Sequence, residues 1–264
     1  MIPQNARVSE PLEPPPMVKV VSIERLEGGG RSGHADRVVV EAPLQLRARG
    51  KPVATIMRTP GHDLELVRGL LHAESVAAAV FVQVDEDAVE IDVDPGAFAG
   101  RGLLASAACG VCERAAIADL ELRAREVTAD TSVDAWVLAT MPGTLRDAQS
   151  LFGQTGGLHA AGLFTLTGEA IAVREDVGRH NAVDKLVGWA LVAGIDPAAH
   201  ILFLSGRLGY ELVQKAIMLR VPIVAAVSAP SSLAIELAER FGVGLAGFVR
   251  GDRCNVYAHA WRVR

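Results

Sequence analysis

The sequence predicts an α/β protein: a smaller N-terminal α+β domain followed by a larger C-terminal domain with a mixed sheet. Two patterns carry this. Up to about residue 100, short runs of period-two alternation are joined by tight turns around one helical stretch. Beyond residue 158, apolar strands alternate with amphipathic helices, the signature of βαβ units. Between them a small-residue run, 100–108, leads into Cys109-Gly110-Val111-Cys112. The expected division is an arm over 1–18, an α+β domain over 37–100, a cysteine loop and helix over 101–130, and an α/β domain over 131–264.

The arm carries Pro3, Pro11, Pro14, Pro15 and Pro16 among polar residues, a composition that favours an extended, mobile chain. Leu44 and Leu46 alternate with Gln45 and Arg47, Gly50-Lys51 turns the chain, and 53–57 returns as a second strand. After Pro60-Gly61 a helix opens near Asp63, with Leu64, Val67, Leu70 and Leu71 at helical spacing. Segments 80–84 and 89–93 form a further hairpin. A helix after the cysteine pair places Ala116, Ile117 and Leu120 on one face. Strands at 158–166 and 170–173 then flank the turn Thr167-Gly168. A helix starts near Asn181, striped by Val183, Leu186, Val187, Ala190 and Leu191 and ended by Gly194; Asp184 and Lys185 are expected on its solvated face. Strand 201–204, helix 210–219, strand 223–227, helix 233–240 capped by Ser231 or Ser232, and a last strand 243–249 complete a largely parallel sheet.

With 264 residues, half of them hydrophobic, the chain is able to bury a full core. No apolar run is long enough to span a bilayer, and no basic segment followed by an apolar stretch opens the chain, so a cytoplasmic protein without a signal peptide is expected. A net charge of −5 argues against nucleic acid as the main partner, while leaving room for a local phosphate-binding pocket.

Three cysteines in such a chain do not suggest a disulfide framework, and the close pair reads as chemistry. A thiolate is the reactive form, and a Cys-X-X-Cys before a helix has its pKa lowered by the helix dipole. Gly110 and the small residues before Cys109 permit an exposed loop, suited to meeting a donor and then an acceptor. Cys112 stands beside Glu113, whose carboxylate disfavours a thiolate, yet it is nearer the helix start, so electrostatics alone does not rank the two. Access favours Cys109. Two buried structural cysteines, a thioredoxin-like redox pair and a zinc site are the competing readings. Zinc needs about four ligands, and only Cys254 and scattered histidines are left to supply them, so no metal is expected.

A second constellation lies on loops. Thr155-Gly156-Gly157-Leu158-His159 enters a strand, and Asp176-Val177-Gly178-Arg179-His180-Asn181 opens a helix. Ser205-Gly206-Arg207 and the run 228–232 each join a buried strand to a helix, and Phe248, Val249, Arg250, Gly251, Asp252 and Arg253 follow the final strand. In open α/β sheets the ligand crevice lies outside the carboxyl ends of the strands. Glycine, serine and arginine recurring there suggest an anionic ligand such as a nucleotide, with His159, Arg179, Ser205 and Arg207 as candidate contacts.

The runs 155–161, 174–188, 205–216, 227–238 and 247–257 resemble the formate dehydrogenase accessory sulfurtransferases, the FdhD/NarQ family. Glu41-Ala42-Pro43-Leu44 and Arg58-Thr59-Pro60-Gly61 resemble its N-terminal signatures. The resemblance implies transfer of persulfide sulfur from a cysteine desulfurase to the molybdenum bis(molybdopterin guanine dinucleotide) cofactor, bound as a substrate, before that cofactor enters formate dehydrogenase. It also implies a homodimer, a larger domain similar to the cytidine deaminase fold, and binding of a guanine nucleotide as a mimic of the cofactor. The persulfide falls to Cys109, with Cys112 as its partner, and cofactor binding to Phe248, Val249, Arg250, Gly251, Asp252 and Arg253. A cofactor chaperone without sulfur transfer and a thiol–disulfide oxidoreductase are the alternatives. Some positions depart from the family pattern: Ala107 and Ala108 replace hydroxyl residues, Glu113 replaces a glycine, and Cys254 stands where another residue type is usual. Deamination is not expected, because Ala160 and Ala161 follow His159 where a His-X-Glu would be needed, and the cysteine pair precedes that histidine.

Overall fold

The computed structural model describes residues 16–98, 120 and 123–264. Strands β1 (Val18–Glu27) and β2 (Gly30–Val39) form an antiparallel ribbon. Gly28 and Gly29, both at positive φ, make the hairpin turn whose twist suits two right-handed strands. The sequence reading assigned no element to 19–36, where apolar residues are sparse and both faces are polar. Most of the ribbon is exposed, and its foot is anchored by Val39 against Gly157 and by a 3.4 Å hydrogen bond from Arg37 to Gln154. Residues 1–15 of the expected arm lie outside the described residues, and Val18, its last residue, already belongs to β1.

Strands β3 (Ala42–Ala48), β4 (Lys51–Arg58), β5 (Phe81–Asp85) and β6 (Ala88–Ile91) form a four-stranded sheet in the order β4-β3-β6-β5, close to the predicted strands. Helix α1 (Asp63–Ala73) covers one face, packing Leu66, Val67 and Leu71 onto Leu44, Leu46, Val89 and Ile91. Arg58 is fully buried at the edge of this layer. Its guanidinium forks onto Asp63 at 2.9 and 3.0 Å and reaches Asp87 at 3.0 Å, so the charge is buried with partners.

The second sheet has six strands, in the order β12-β11-β10-β9-β7-β8. These are β7 (His159–Thr165), β8 (Ala170–Asp176), β9 (His200–Leu204), β10 (Ile223–Ala226), β11 (Gly244–Arg250) and β12 (Arg253–Ala258). Only β9, β10 and β11 run parallel to one another; β7, β8 and β12 are added antiparallel, so the sheet is mixed and not largely parallel. The strand expected to be last is followed by β12, whose alternating exposure marks it as an edge strand.

Period-two alternation sends the strand side chains to two cores. Leu163, Leu202, Leu204 and Val224 face α4 (Arg179–Ala193), α5 (Tyr210–Leu219) and α6 (Ser232–Arg240), while Phe164, Ile201, Phe203 and Ile223 face α2 (Ala135–Ala148). Ser231 is the cap of α6, its hydroxyl accepting from Ala234 N at 3.3 Å. Helix α2 and the short α3 (Ser150–Thr155) were not read from the sequence. Pro142-Gly143 interrupts the pattern, although Val137, Leu138, Met141 and Leu145 do form a buried stripe. Of the helix expected after the cysteines, Leu120 is helical and buried in the α4–α6 core, while Ala116 and Ile117 lie outside the described residues.

Asp184 and Lys185 correct the expectation of a solvated face on α4. Both are buried, because α4 is covered on one side by its own sheet and on the other by α1 and α5. Lys215 of α5 pairs with Asp184 at 2.6 Å, and Lys185 pairs with Asp176 at 2.7 Å.

Helices α1 and α4 join the two sheets through glycine. A Cβ on Gly69 would overlap the carbonyl oxygen of Asp184, and one on Gly188 would overlap that of Glu65. The two backbones therefore touch, and neither has room for a methyl group. Gly188→Ala is expected to cost about 1–3 kcal/mol or more of stability by this overpacking. Gly143→Ala, with open space at its Cβ, should be neutral or stabilising by up to about 1 kcal/mol. Thermal denaturation of both variants tests this; equal midpoints would contradict the close crossing.

Candidate functional site

The carboxyl ends of β9, β10 and β11 lie at one edge of the six-stranded sheet. Because β7 is antiparallel to β9, its first residue, His159, joins the same edge, level with Asp176 at the end of β8. The topology thus collects the Gly156–His159 approach, Ser205-Gly206-Arg207, the 227–231 loop and the β11–β12 turn along one rim. A pocket of about 430 Å³ opens there, between α2, α3 and the strand ends. Pro142, Leu145 and Phe152 give it apolar walls; Arg146, Gln149, His159 and Ser205 bring polar groups; Gly156, Gly157, Leu158 and Val227 complete it.

Backbone pairing sets each side chain. Ser205 prolongs the β9–β7 ladder: its amide donates to Ala160 O at 3.0 Å, and its hydroxyl oxygen accepts from Ala160 N at 2.8 Å. The hydroxyl proton stays available to a ligand. Gly206 passes so close to His159 that a Cβ there would sit 3.2 Å from Nδ1, which leaves the imidazole seated against backbone. Burial keeps His159 below its ordinary pKa, helped by the charge of Arg179 and opposed by Asp176, so it faces the pocket as a neutral imidazole near neutral pH. Arg179, half-buried, starts α4.

The β11–β12 turn adjoins the pocket. Phe248 N donates to Ser228 O at 3.2 Å, and Arg250 Nε donates to Val227 O at 3.4 Å, which ties the hairpin to the loop whose Val227 lines the cavity. Phe248 is held at φ 52, in the left-handed region, where its exposed ring lies 6.0 Å from the Arg250 guanidinium. Gly251 takes φ 55 at the tip, and Asp252 and Arg253 are exposed beside it. The Val249 side chain points the other way, into the core beneath α2, so only its backbone is open to a ligand. Arg146, Arg207, Arg250 and Arg253 are all exposed, and together they put positive charge on one rim of an acidic protein.

Thus His159, Ser205 and the Phe248–Arg253 turn share one edge with Arg179 and Arg207. Arg146, Gln149 and Phe152 were not foreseen, because they ride on the helices that Pro142 hid. Their signal was the apolar stripe of α2, which aims the following turn at the strand ends. Cys109 and Cys112 lie outside the described residues, while Cys254 is a half-buried thiol raised by burial and packed against the α2 core. Among the described residues no cluster of three or more His, Cys, Asp or Glu side chains is arranged to hold a metal ion.

Beneath the rim, His180 Nδ1 stands 3.0 Å from Glu211. Burial, with the charges of Lys215 and Arg179 and the neighbouring His159, pushes His180 down to about 4, outweighing the Glu211 carboxylate. Burial pushes Asp184 up to about 6 against the pull of Lys215.

The FdhD/NarQ family profile matches residues 39–264. A protein named sulfur carrier protein FdhD from Nocardia farcinica is 45% identical over 264 residues, covering 92% of this chain and 93% of that one. One of the same name from Sulfolobus acidocaldarius is 41% identical over 253 residues, covering 93% and 98%. The crystal structure of a proposed formate dehydrogenase accessory protein from Desulfotalea psychrophila superposes with a TM-score of 0.77 at 22% identity, covering 94% of this chain and all of that one, and shows the same fold.

The His180 environment has a pH signature. Above its ordinary pKa, folded and unfolded chains both hold it neutral, and it adds no pH dependence. As the pH falls below about 6.5 towards the folded value, only the unfolded chain takes up the proton, so stability is lost. From about pH 7 to about pH 5 this group should cost on the order of 2 kcal/mol. His180→Gln should lose that much less over the same interval in urea denaturation; identical pH dependence in the two proteins would contradict the assignment.

Proposed function

The chain belongs to the FdhD/NarQ family, and from that membership we propose that it is a sulfurtransferase, carrying persulfide sulfur on Cys109 from a cysteine desulfurase to the molybdenum bis(molybdopterin guanine dinucleotide) cofactor for formate dehydrogenase. The observation that carries the reading is the match across residues 39–264 to relatives named as sulfur carriers. The basic rim around a pocket at the strand ends supports an anionic, nucleotide-bearing acceptor. Cytoplasmic placement and a homodimer belong to the same proposal. So does the division into a four-stranded and a six-stranded domain, the latter of cytidine deaminase-like build, which the strand order and the helices on both faces support.

In the chemistry proposed, the Cys109 thiolate takes the sulfane sulfur of the desulfurase persulfide, and the desulfurase cysteine leaves as a thiolate. Attack of the Cys112 thiolate on the Cys109 sulfur then forms a Cys109–Cys112 disulfide and expels the outer sulfur as hydrosulfide, which the metal takes up. The two electrons that bring that sulfur to sulfide come from the pair, and a cellular dithiol restores it.

Incubation with a desulfurase and cysteine should add the mass of one sulfur, removable by reductant and located on Cys109 by tandem mass spectrometry. Cys109→Ala should abolish loading, and Cys112→Ala should load normally but release little sulfide to an acceptor. Loading on Cys112 in the unaltered chain, or normal loading in Cys109→Ala, would reverse the roles; no loading at all would favour a cofactor chaperone. Calorimetry with GDP should show binding that weakens by roughly 1.5–3 kcal/mol in Arg253→Ala if that arginine makes a charge-assisted contact. Unchanged affinity would remove the turn from the site.

A further inference from the structure

Gln149 is a buried polar side chain with an unmet need. It is 6% exposed, lines the pocket at the junction of α2 and α3, and its buried Nε2 has no hydrogen-bond partner among the described residues. A buried donor left unpaired is costly, and such a group in a pocket wall gains most from a ligand that brings an acceptor. Its surroundings specify the shape of that ligand. Pro142, Leu145 and Phe152 make an apolar wall, and the Arg146 guanidinium lies 4.0 Å from the Phe152 ring centre, forming a flat cationic plate at the mouth. The cavity volume, about 430 Å³, suits a nucleoside-sized group. The interior has few charges, whereas the arginines of the β11–β12 turn are exposed at its edge. A base therefore fits inside and its phosphates outside.

We propose that Gln149 is the residue that reads the base of the bound nucleotide, its amide donating to the carbonyl edge of guanine. This rests on the guanine-nucleotide reading given above and adds the selectivity. Guanine presents acceptors at O6 and N7, whereas adenine places an amino donor where O6 would be and would set donor against donor. Sites that pair a buried group with a substrate reject analogues lacking the complementary atom, because the buried group is left unpaired.

Calorimetry with GDP, ADP and inorganic pyrophosphate separates the two readings. The unaltered chain should bind GDP about ten-fold or more tighter than ADP. Gln149→Leu should weaken GDP about ten-fold while leaving ADP and pyrophosphate within about two-fold, so that the preference collapses. Arg253→Ala should weaken all three and keep the GDP-to-ADP ratio. If Gln149→Leu is not folded by circular dichroism, Gln149→Met, unbranched and closer in shape, makes the same measurement. A preserved ratio in a folded Gln149 variant overturns the base-reading role alone; failure of the unaltered chain to bind GDP overturns it together with the nucleotide reading.

Discussion

The buried carboxylate of Asp176 holds the molecule together at its centre. It ends β8, and it accepts hydrogen bonds from the backbone of Thr59 and Gly178 and from the Asn181 side chain, at 2.8–3.1 Å, besides its ion pair with Lys185. Thr59 returns the contact, its hydroxyl accepting from Val177 N, its carbonyl from Lys185. A buried charge on this scale is tolerable only when every lone pair is met, and here the donors come from the chain leaving β4 and from the start of α4. Glu65 extends the same junction by forking onto Arg174, which with His62 draws its carboxylate down to about 2 against the cost of burial. The glycine crossing of α1 and α4 brings the backbones near enough for these short polar bonds.

This junction also places the site. His159 is paired with Asp176 across β7 and β8, so whatever holds the end of β8 holds the mouth of the pocket. The Glu175 carboxylate, one residue earlier, accepts from the amides of Leu151 and Phe152 at 3.0 and 2.8 Å, fixing the start of α3 and with it one pocket wall. Two consecutive acidic residues thus face opposite ways, one towards the four-stranded sheet and one towards the cavity, as the alternation of a strand requires. The mixed sheet adds a further constraint: only because β7 runs against β9 does a residue at a strand's beginning meet residues at the ends of the others.

Much of this was legible in the sequence where short-range rules govern. The αL glycine at 194, the serine cap at 231, the alternation in β3 and the apolar run of β9 all express local chemistry, and their elements were placed within a few residues. The reading failed where tertiary contacts overrule composition. Asp184 and Lys185 look like a solvated pair, and nothing nearby in sequence reveals the partners Lys215 and Asp176 or the cover supplied by α1. Pro142 masks α2 because a proline disrupts a helix in isolation, yet the stripe from Val137 to Leu145 recovers the cost by packing beneath the sheet. The ribbon of β1 and β2 lacks an apolar face, so its alternation has nothing to announce it. The loops that form the rim could be named individually from glycine, serine and arginine; the cavity they enclose needed α2.

Arg262 ties the launch of α2 to a segment remote from it in sequence. Fully buried, it donates to the carbonyls of Val127, Ala129, Thr131 and Gly242, while the backbone around Val133 and Ala135 pairs with residues 262–264. The segment that launches α2 is therefore stapled by a side chain more than 130 positions further along the chain. The pocket wall from Pro142 to Phe152 is thus held at both ends, by Arg262 before α2 and by Glu175 at α3, so a substitution at either place should loosen a cavity that it does not line.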